Sequence, residues 1–326
     1  MIPSLIAATV FSASALPVLV FRRTGEAGSE IMGLTKQGEF VILRGAGSDS
    51  LKAAISPDGT KIAFIASRKL FVAPLRMEAY ETAARVSARR WVTEARRIRA
   101  GEWTGAALFA DSASTGPSWL PDGTAIFYTR PHPDSGIREQ GDIMRIEVRR
   151  DGTAGASVQL TNTSGDRHRD AIPVCRPDGR TILFNRDADP RGLYAISVSG
   201  GAPSPLSLGF GWDSVSWFSD GRRVVGSRLT GSESGLFHFG FPKTGTPQLI
   251  HYSKAQDASP QASPDGRSLA FARPTRITSA LTVPKLLIGP LDDEGEAIRR
   301  MPTMITPAKT STADYPLQWI SLPVAR

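Results

Sequence analysis

Short apolar runs recur along this chain, and the same polar turn introduces each one. Lys61-Ile62-Ala63-Phe64, Ala125-Ile126-Phe127-Tyr128, Thr181-Ile182-Leu183-Phe184 and Ser268-Leu269-Ala270-Phe271 are strand-length and end on an aromatic; Arg222-Arg223-Val224-Val225 is a weaker copy. The turns before them read Ser56-Pro57-Asp58-Gly59, Leu120-Pro121-Asp122-Gly123, Arg176-Pro177-Asp178-Gly179, Phe218-Ser219-Asp220-Gly221 and Ser263-Pro264-Asp265-Gly266. Proline presets φ at the first turn position, Asp tolerates the second, and Gly takes the left-handed position that closes a hairpin. Each copy therefore predicts two antiparallel strands joined by a tight turn.

A third strand is expected after each pair, at Asp142–Val148, Gly192–Val198, Gly235–Phe241 and Leu286–Pro290. A short fourth follows, as in Val158-Gln159-Leu160-Thr161 and Pro247-Gln248-Leu249-Ile250. The Asp residues of the turns lie 64, 56, 42 and 45 residues apart, and four strands per period near the shorter spacings mark a propeller blade. Five copies span residues 49–306. Residues 16–44 resemble a sixth that lacks its first strand, with Val18–Phe21, Glu30–Leu34 and Phe40–Leu43 as strands two to four. The missing strand is found at the far end. Asp314-Tyr315-Pro316-Leu317-Gln318-Trp319 parallels Asp257-Ala258-Ser259-Pro260-Gln261-Ala262 and Asp170-Ala171-Ile172-Pro173-Val174-Cys175. The expected fold is all-β, a six-bladed β-propeller over residues 16–326 whose first blade is closed by the C-terminal strand. Such closure removes exposed sheet edges.

These Pro-Asp-Gly repeats resemble the propeller repeats of TolB, the periplasmic component of the Tol–Pal envelope system, and of related WD-like propellers. The resemblance covers nearly the whole chain after about residue 16 and implies fold more than activity. The same repeat occurs in exported binding proteins, peptidase propeller domains and some polysaccharide lyases. With no room read for the α/β domain that precedes the TolB propeller, a direct TolB role is not expected. A prolyl-oligopeptidase-type enzyme, which continues into a hydrolase domain, is likewise not expected.

Composition narrows the picture. Apolar residues make up 40% of 326, enough for a sizeable core, and 31 Gly with 24 Pro argue for frequent turns over long helices. The single cysteine, Cys175, excludes an internal disulfide framework and any cysteine-based zinc cluster. Residues 1–15 read as a signal peptide ending near Ala13-Ser14-Ala15, or as a disordered lead, although the basic n-region is missing. A periplasmic or secreted location follows, with a cytoplasmic one as the alternative, and no transmembrane span is expected between Pro3 and Pro17. Two insertions interrupt the repeat, at 76–103 and 273–285. Glu78–Arg99 contains no Gly or Pro and is expected to be helical, packed outside the ring on Val86, Trp91, Val92 and Ile98.

The net charge is +8, carried by Arg far more than by Lys. The Arg residues recur in step with the repeats and do not cluster with aromatics, so nucleic acid is not an expected partner. No nucleophile elbow, zinc-protease motif, Walker loop or dinucleotide fingerprint is present, and no catalytic residue or cofactor is assigned. Two recurrent positions carry the candidate chemistry. Asp49, Asp170, Asp213, Asp257 and Asp314 enter the inner strands and would ring one mouth of the channel. An Arg ends most second strands, at Arg22-Arg23, Arg130, Arg186, Arg228 and Arg273; the second repeat breaks the rule, with Ala66 there and Arg68 two residues on. These groups are expected to pair between neighbouring blades; carboxylates left over would form a ligand site, or a divalent-cation site if their oxygens converge. Arg167, His168 and Arg169 fall on the same mouth. The function expected is a monomeric, non-enzymatic scaffold that binds a protein or cell-envelope component at that face. The alternative is a carbohydrate-active lyase or hydrolase using His168 and Arg169 at the channel mouth.

Overall fold

A computed structural model describes residues 16–322, apart from 27, 46–50, 82–86, 100–101, 133–140, 164–169, 188–190, 207, 210, 231–232, 243–244, 254, 293–296, 299 and 307–309. The N-terminal lead read above therefore lies outside the described residues. Among those described there is no helix, only strands.

Strands β1 (Leu16–Gly25), β2 (Gly28–Thr35) and β3 (Gly38–Arg44) form an antiparallel meander, and the C-terminal strand β28 (Ala313–Leu322) adds to its open side. The register sets Leu19 opposite Trp319 and Arg23 opposite Asp314, with a bulge after Val20. The two expected partners, Val18–Phe21 and Tyr315–Trp319, are thus hydrogen-bonded neighbours. The next sheet holds β4 (Lys52–Ile55), β5 (Lys61–Ala66) and β6 (Lys69–Pro74).

Before that sheet is completed, the first insertion intervenes. It is not the expected helix. β7 (Arg76–Glu81) pairs with β8 (Ser87–Val92), β9 (Arg96–Arg99) pairs with β10 (Glu102–Thr104), and β11 (Ala107–Ala110) then joins β6. Helix propensity is a weak prior, and tertiary packing overrides it here. Extended backbone lets Trp91, Ala95 and Trp103 enter the core that holds Phe64 and Phe71, with Trp103 edge-on to Phe64 at 4.7 Å between ring centres. Ile98, expected to pack, is exposed.

Two further meanders follow: β12 (Ser118–Trp119), β13 (Ala125–Pro131), β14 (Gly141–Val148) and β15 (Ala154–Gln159), then β16 (Asp170–Cys175), β17 (Thr181–Arg186), β18 (Gly192–Ser197) and β19 (Ser204–Pro205). A single bridge, Gly141 to Asp170, links them. The last meanders are β20 (Trp212–Trp217), β21 (Arg223–Thr230), β22 (Glu233–Gly240) and β23 (Gln248–Ser253), and β24 (Ala258–Ala262), β25 (Ser268–Arg276), β26 (Thr282–Pro290) and β27 (Thr303–Met304). The insertion at 273–285 simply lengthens the β25–β26 ladder out to Arg276 opposite Thr282.

The turn phrase behaves as its chemistry requires. Gly59, Gly123, Gly179, Gly221 and Gly266 all have φ between 64° and 75°, and the Gly59 N–H donates to the Ser56 carbonyl at 2.8 Å. Beyond each turn the aromatic of the apolar run is sequestered: Phe64, Phe127, Phe184 and Phe271 have no exposed surface. Burying each contributes about 2–3 kcal/mol.

The first strands of the sheets pack against one another through β4, β12, β16, β20, β24 and β28, and β28 also touches β4. Neutral hydrogen bonds tie them. The Trp119 indole donates to the Ala54 carbonyl at 3.0 Å and that of Trp217 to the Val174 carbonyl at 3.2 Å. The Ile55 N–H donates to Gln318 Oε1 at 2.9 Å, and Ser216 Oγ to the Pro260 carbonyl at 2.8 Å. Cys175 sits in this layer, and burial pushes its thiol pKa up to about 12, so it is an inert filler.

Candidate functional site

The carboxylates that open the first strands are mostly consumed by arginine. Asp170 lies opposite Arg186 in the β16–β17 ladder and accepts from its Nε and Nη2 at 2.7 and 2.8 Å. Asp257 receives the same fork from Arg273, both contacts at 2.7 Å. Asp314 accepts from Arg23 Nε at 2.8 Å, while Arg23 Nη1 reaches across the sheet to Glu39 at 2.8 Å. All three carboxylates are wholly enclosed. Each pair joins adjacent strands of one sheet, which corrects the expectation of pairing between neighbouring blades. The reason is register: an Arg ending strand two and an Asp starting strand one stand directly opposite on the same face of an antiparallel ladder. The arginines also lie over aromatic rings, with Arg186 4.8 Å from the Tyr194 ring centre.

The β20 sheet breaks this rule. Trp212, not Asp213, stands opposite Arg228, and Asp213 is the extra residue of a bulge between Trp212 and Ser214. Arg228 lies over the Trp212 ring at 5.8 Å. Asp213 is exposed and its carboxylate has no hydrogen-bond or ionic partner among the described residues. Burial alone pushes its carboxyl above the ordinary range: the group is wetted, yet it stands in a cleft with protein around it and no cation drawn to it.

That cleft has a volume of about 350 Å³ and is lined by Ala171, Ile172, Asn185, Arg186, Trp212 and Asp213, with Asp187 and Arg191 at its side. Its floor is strained. Ile172 has φ of 57°, costly for a β-branched residue, and is held there by a bulge in β16 and by its N–H donating to Thr115 Oγ1 at 2.9 Å. Ser259 repeats the device in β24, with φ of 53° and its N–H on Ser214 Oγ at 3.0 Å.

Three charged positions escaped the sequence reading. Asp142 faces Arg130 in the β13–β14 ladder, at 3.4 Å, and accepts from the Thr163 N–H at 2.8 Å. Burial raises its carboxyl, but the bonds from Thr163 and His132 outweigh that and hold it below the ordinary value. His251 accepts from Arg273 Nη2 at 2.7 Å, tying the β20–β23 sheet to the next. Lys285 is fully buried, and its ammonium donates to the Thr310 carbonyl, the Thr310 hydroxyl and the Thr312 carbonyl, each at 2.7 Å. The Arg-opposite register would have pointed to Asp142; nothing in the repeat marks His251 or Lys285.

Asp49, Arg167, His168 and Arg169 lie outside the described residues. Among those described, no three His, Cys, Asp or Glu side chains come together as a metal site requires, and no helix is long and apolar enough to cross a membrane.

No protein-family model and no curated protein matches the chain. Solved structures do. TolB from Acinetobacter baumannii superposes with a TM-score of 0.60 at 16% identity, over 93% of this chain and 67% of that one. A putative TolB from Agrobacterium tumefaciens gives 0.57 at 12% identity, over 95% and 100%. The fold is a TolB-like β-propeller. A chain of the nidogen–laminin complex, at 0.58 and 13% identity over 94% and 98%, shares the propeller architecture. Identities this low speak to the fold alone. Along each first strand the Asp position and the Pro-Asp-Gly hairpin lie at opposite ends, as Asp170 and Gly179 do about β16.

Proposed function

We propose that this propeller is an exported, monomeric, non-enzymatic scaffold that binds a protein or cell-envelope partner over its Asp-bearing face. The reading takes residues 16–326 as one ring of six blades, closed by β28 on β1. Three features support that ring: the four-stranded meanders, the order β28-β1-β2-β3, and the packing of β28 between β24 and β4. One observation carries the functional reading. Among the described residues Asp170, Asp257 and Asp314 are locked into ion pairs with Arg186, Arg273 and Arg23, and beside one of these pairs a cleft of about 350 Å³ opens next to Asp213, whose carboxylate has no partner among those residues. A stiff, pre-paired rim with an open cleft is built for docking, because little side-chain freedom is lost on binding.

Site-specific photo-crosslinking tests the reading. A photoreactive residue at position 191, on the Asp face, is compared with one at position 177, on the hairpin face, in the native host's extract. A discrete adduct from position 191 alone is the expected result. Adducts from position 177 alone, or equal adducts from both, would overturn it.

A further inference from the structure

We propose that the cleft beside β20 is a subsite for an organic cation, an ammonium or guanidinium group carried by a small molecule or by a side chain of the docked partner. This names the chemistry recognised at the face assigned above and rests on that assignment.

Charge comes first. Around the cleft stand Arg186, Arg191, Asp187 and Asp213, with Asp170 behind Arg186. Arg186 is forked by Asp170 and Arg191 is held by Asp187. Among the described residues one carboxylate is left over, that of Asp213. An anionic ligand would have to break one of these pairs; a cation would complete a third. What frees this group is its place one residue nearer the turn: Asp213 stands seven residues before Asp220, whereas Asp170 and Asp257 stand eight before Asp178 and Asp265. In the β16, β24 and β28 sheets the Asp stands beside its own Arg, whereas here Trp212 occupies that position and Asp213 falls within the bulge. Bulges that re-aim a side chain are a recurrent device beside binding sites.

The second observation concerns hydrogen bonding. Asn185 donates its Nδ2 to the Asp213 carbonyl at 3.1 Å, which fixes the amide orientation, and its Oδ1 is a buried acceptor with no donor. Asn185 Oδ1 is enclosed, so the open acceptor on this side is the Asp213 carboxylate, and a guanidinium or ammonium supplies the donors it lacks. The walls decide against a metal ion. Ala171, Ile172 and Trp212 are apolar, and one free carboxylate cannot furnish the six or more oxygens that a hard dication takes. Apolar walls do suit the methylene stem of an arginine, lysine or polyamine.

The test titrates the full chain with N-acetyl-arginine methylamide, its neutral citrulline counterpart, and agmatine, following the Trp212 indole resonance by NMR. The arginine derivative should bind at least about tenfold tighter than the citrulline one. Asp213→Asn should abolish that difference, and Asp213→Glu should keep part of it. Thermal stability of both variants should match the parent, since Asp213 holds no partner. Agmatine binding as well as the capped arginine indicates a free cation as ligand; preference for the capped form indicates a partner's side chain. Equal affinity for citrulline, unchanged discrimination in Asp213→Asn, or no saturable binding up to about 20 mM overturns the proposal. Crosslinking at position 191 is measured separately, so loss of the cation subsite and loss of the docking face give different results.

Discussion

Replacing Asp170 with Asn measures what one of the mouth pairs contributes. The carboxylate has no exposed surface, and two charge-assisted bonds of 2.7 and 2.8 Å join it to Arg186, whose side chain retains 15% exposure. Asparagine keeps the shape and an acceptor but removes the countercharge, so the guanidinium is left enclosed among Phe184, Tyr194 and the ladder. Breaking a buried pair from one side costs about 3–5 kcal/mol; the partial access of Arg186 to water places the cost near the lower limit, about 3 kcal/mol. At about 2 °C per kcal/mol for a chain this long, the Tm should fall by about 6 °C. Scanning calorimetry on Asp170→Asn, Arg186→Met and the double variant is the assay. The double variant should recover at least half of the single loss, because it no longer buries a lone charge. Arg191→Met, which breaks an exposed pair, is the reference and should shift the Tm by less than about 2 °C. A loss in Asp170→Asn no larger than this reference, or strict additivity in the double variant, would refute the assignment of these pairs to the frame.

Lys285→Met keeps the buried stem but strands two carbonyls, at about 1 kcal/mol each, while the Thr310 hydroxyl keeps its bond to Thr312; the unfolding free energy from urea titration should fall by about 2 kcal/mol, and an unchanged value would refute this role of the ammonium. His251 has its pKa lowered, by burial first and by Arg273 next, against the opposing pull of Asp257. The unfolded chain therefore takes up this proton near pH 6.5 while the folded one resists. His251 contributes stability above that pH, which is lost as pH falls through the lowered folded value. His251→Gln should flatten the pH dependence of the urea midpoint in that window; an identical slope would exclude the group. Because the sheets adhere chiefly through neutral bonds and rings, and the arginine contacts between them, Arg273 to His251 and Arg176 to the Gly221 carbonyl, end on uncharged acceptors, raising NaCl from about 0.05 to about 1 M should leave the Tm within about 2 °C, and a larger fall would point to charged seams.

The fold was legible because its punctuation is chemical. A Pro-Asp-Gly turn needs a left-handed glycine wherever it falls, so Gly59 and Gly266, more than two hundred residues apart, adopt the same φ and launch the same apolar strand. The C-terminal strand was legible from a second repeat, an Asp followed by Pro two or three residues on, at 170–175, 257–262 and 314–319, which marks a first strand even where its second strand is at the other end of the chain. The insertion at 76–103 was not legible. Its Ala, Arg and Glu content favours helix locally, whereas Trp91 and Trp103 are placed by contact with Phe64 and Phe71, residues whose position depends on the completed sheet.

The site shows the sharper limit. The recurrence of Asp and Arg located the candidates, and Asp213 was read in line with Asp170, Asp257 and Asp314; counted to the turn it is one residue closer, seven before Asp220 where Asp170 and Asp257 stand eight before theirs. In a strand that offset reverses the direction of the side chain, and since β16 and β24 carry bulges of their own, the difference between a structural pair and an open carboxylate is decided by that one residue of spacing. No composition count can see it, because the residue types are the same in all four sheets. The same logic accounts for the excess of Arg over Lys. A planar fork can satisfy both oxygens of an enclosed carboxylate and still stack on the ring beside it, as Arg186 does between Asp170 and Tyr194; an ammonium can do neither. Where a lysine is buried, at Lys285, it faces carbonyls and hydroxyls instead, the partners a compact three-donor group can reach at once. The arginines are thus bound to the register of the repeat, and among the described first strands the carboxylate that slips out of that register, Asp213, is the one left to meet a cation from outside.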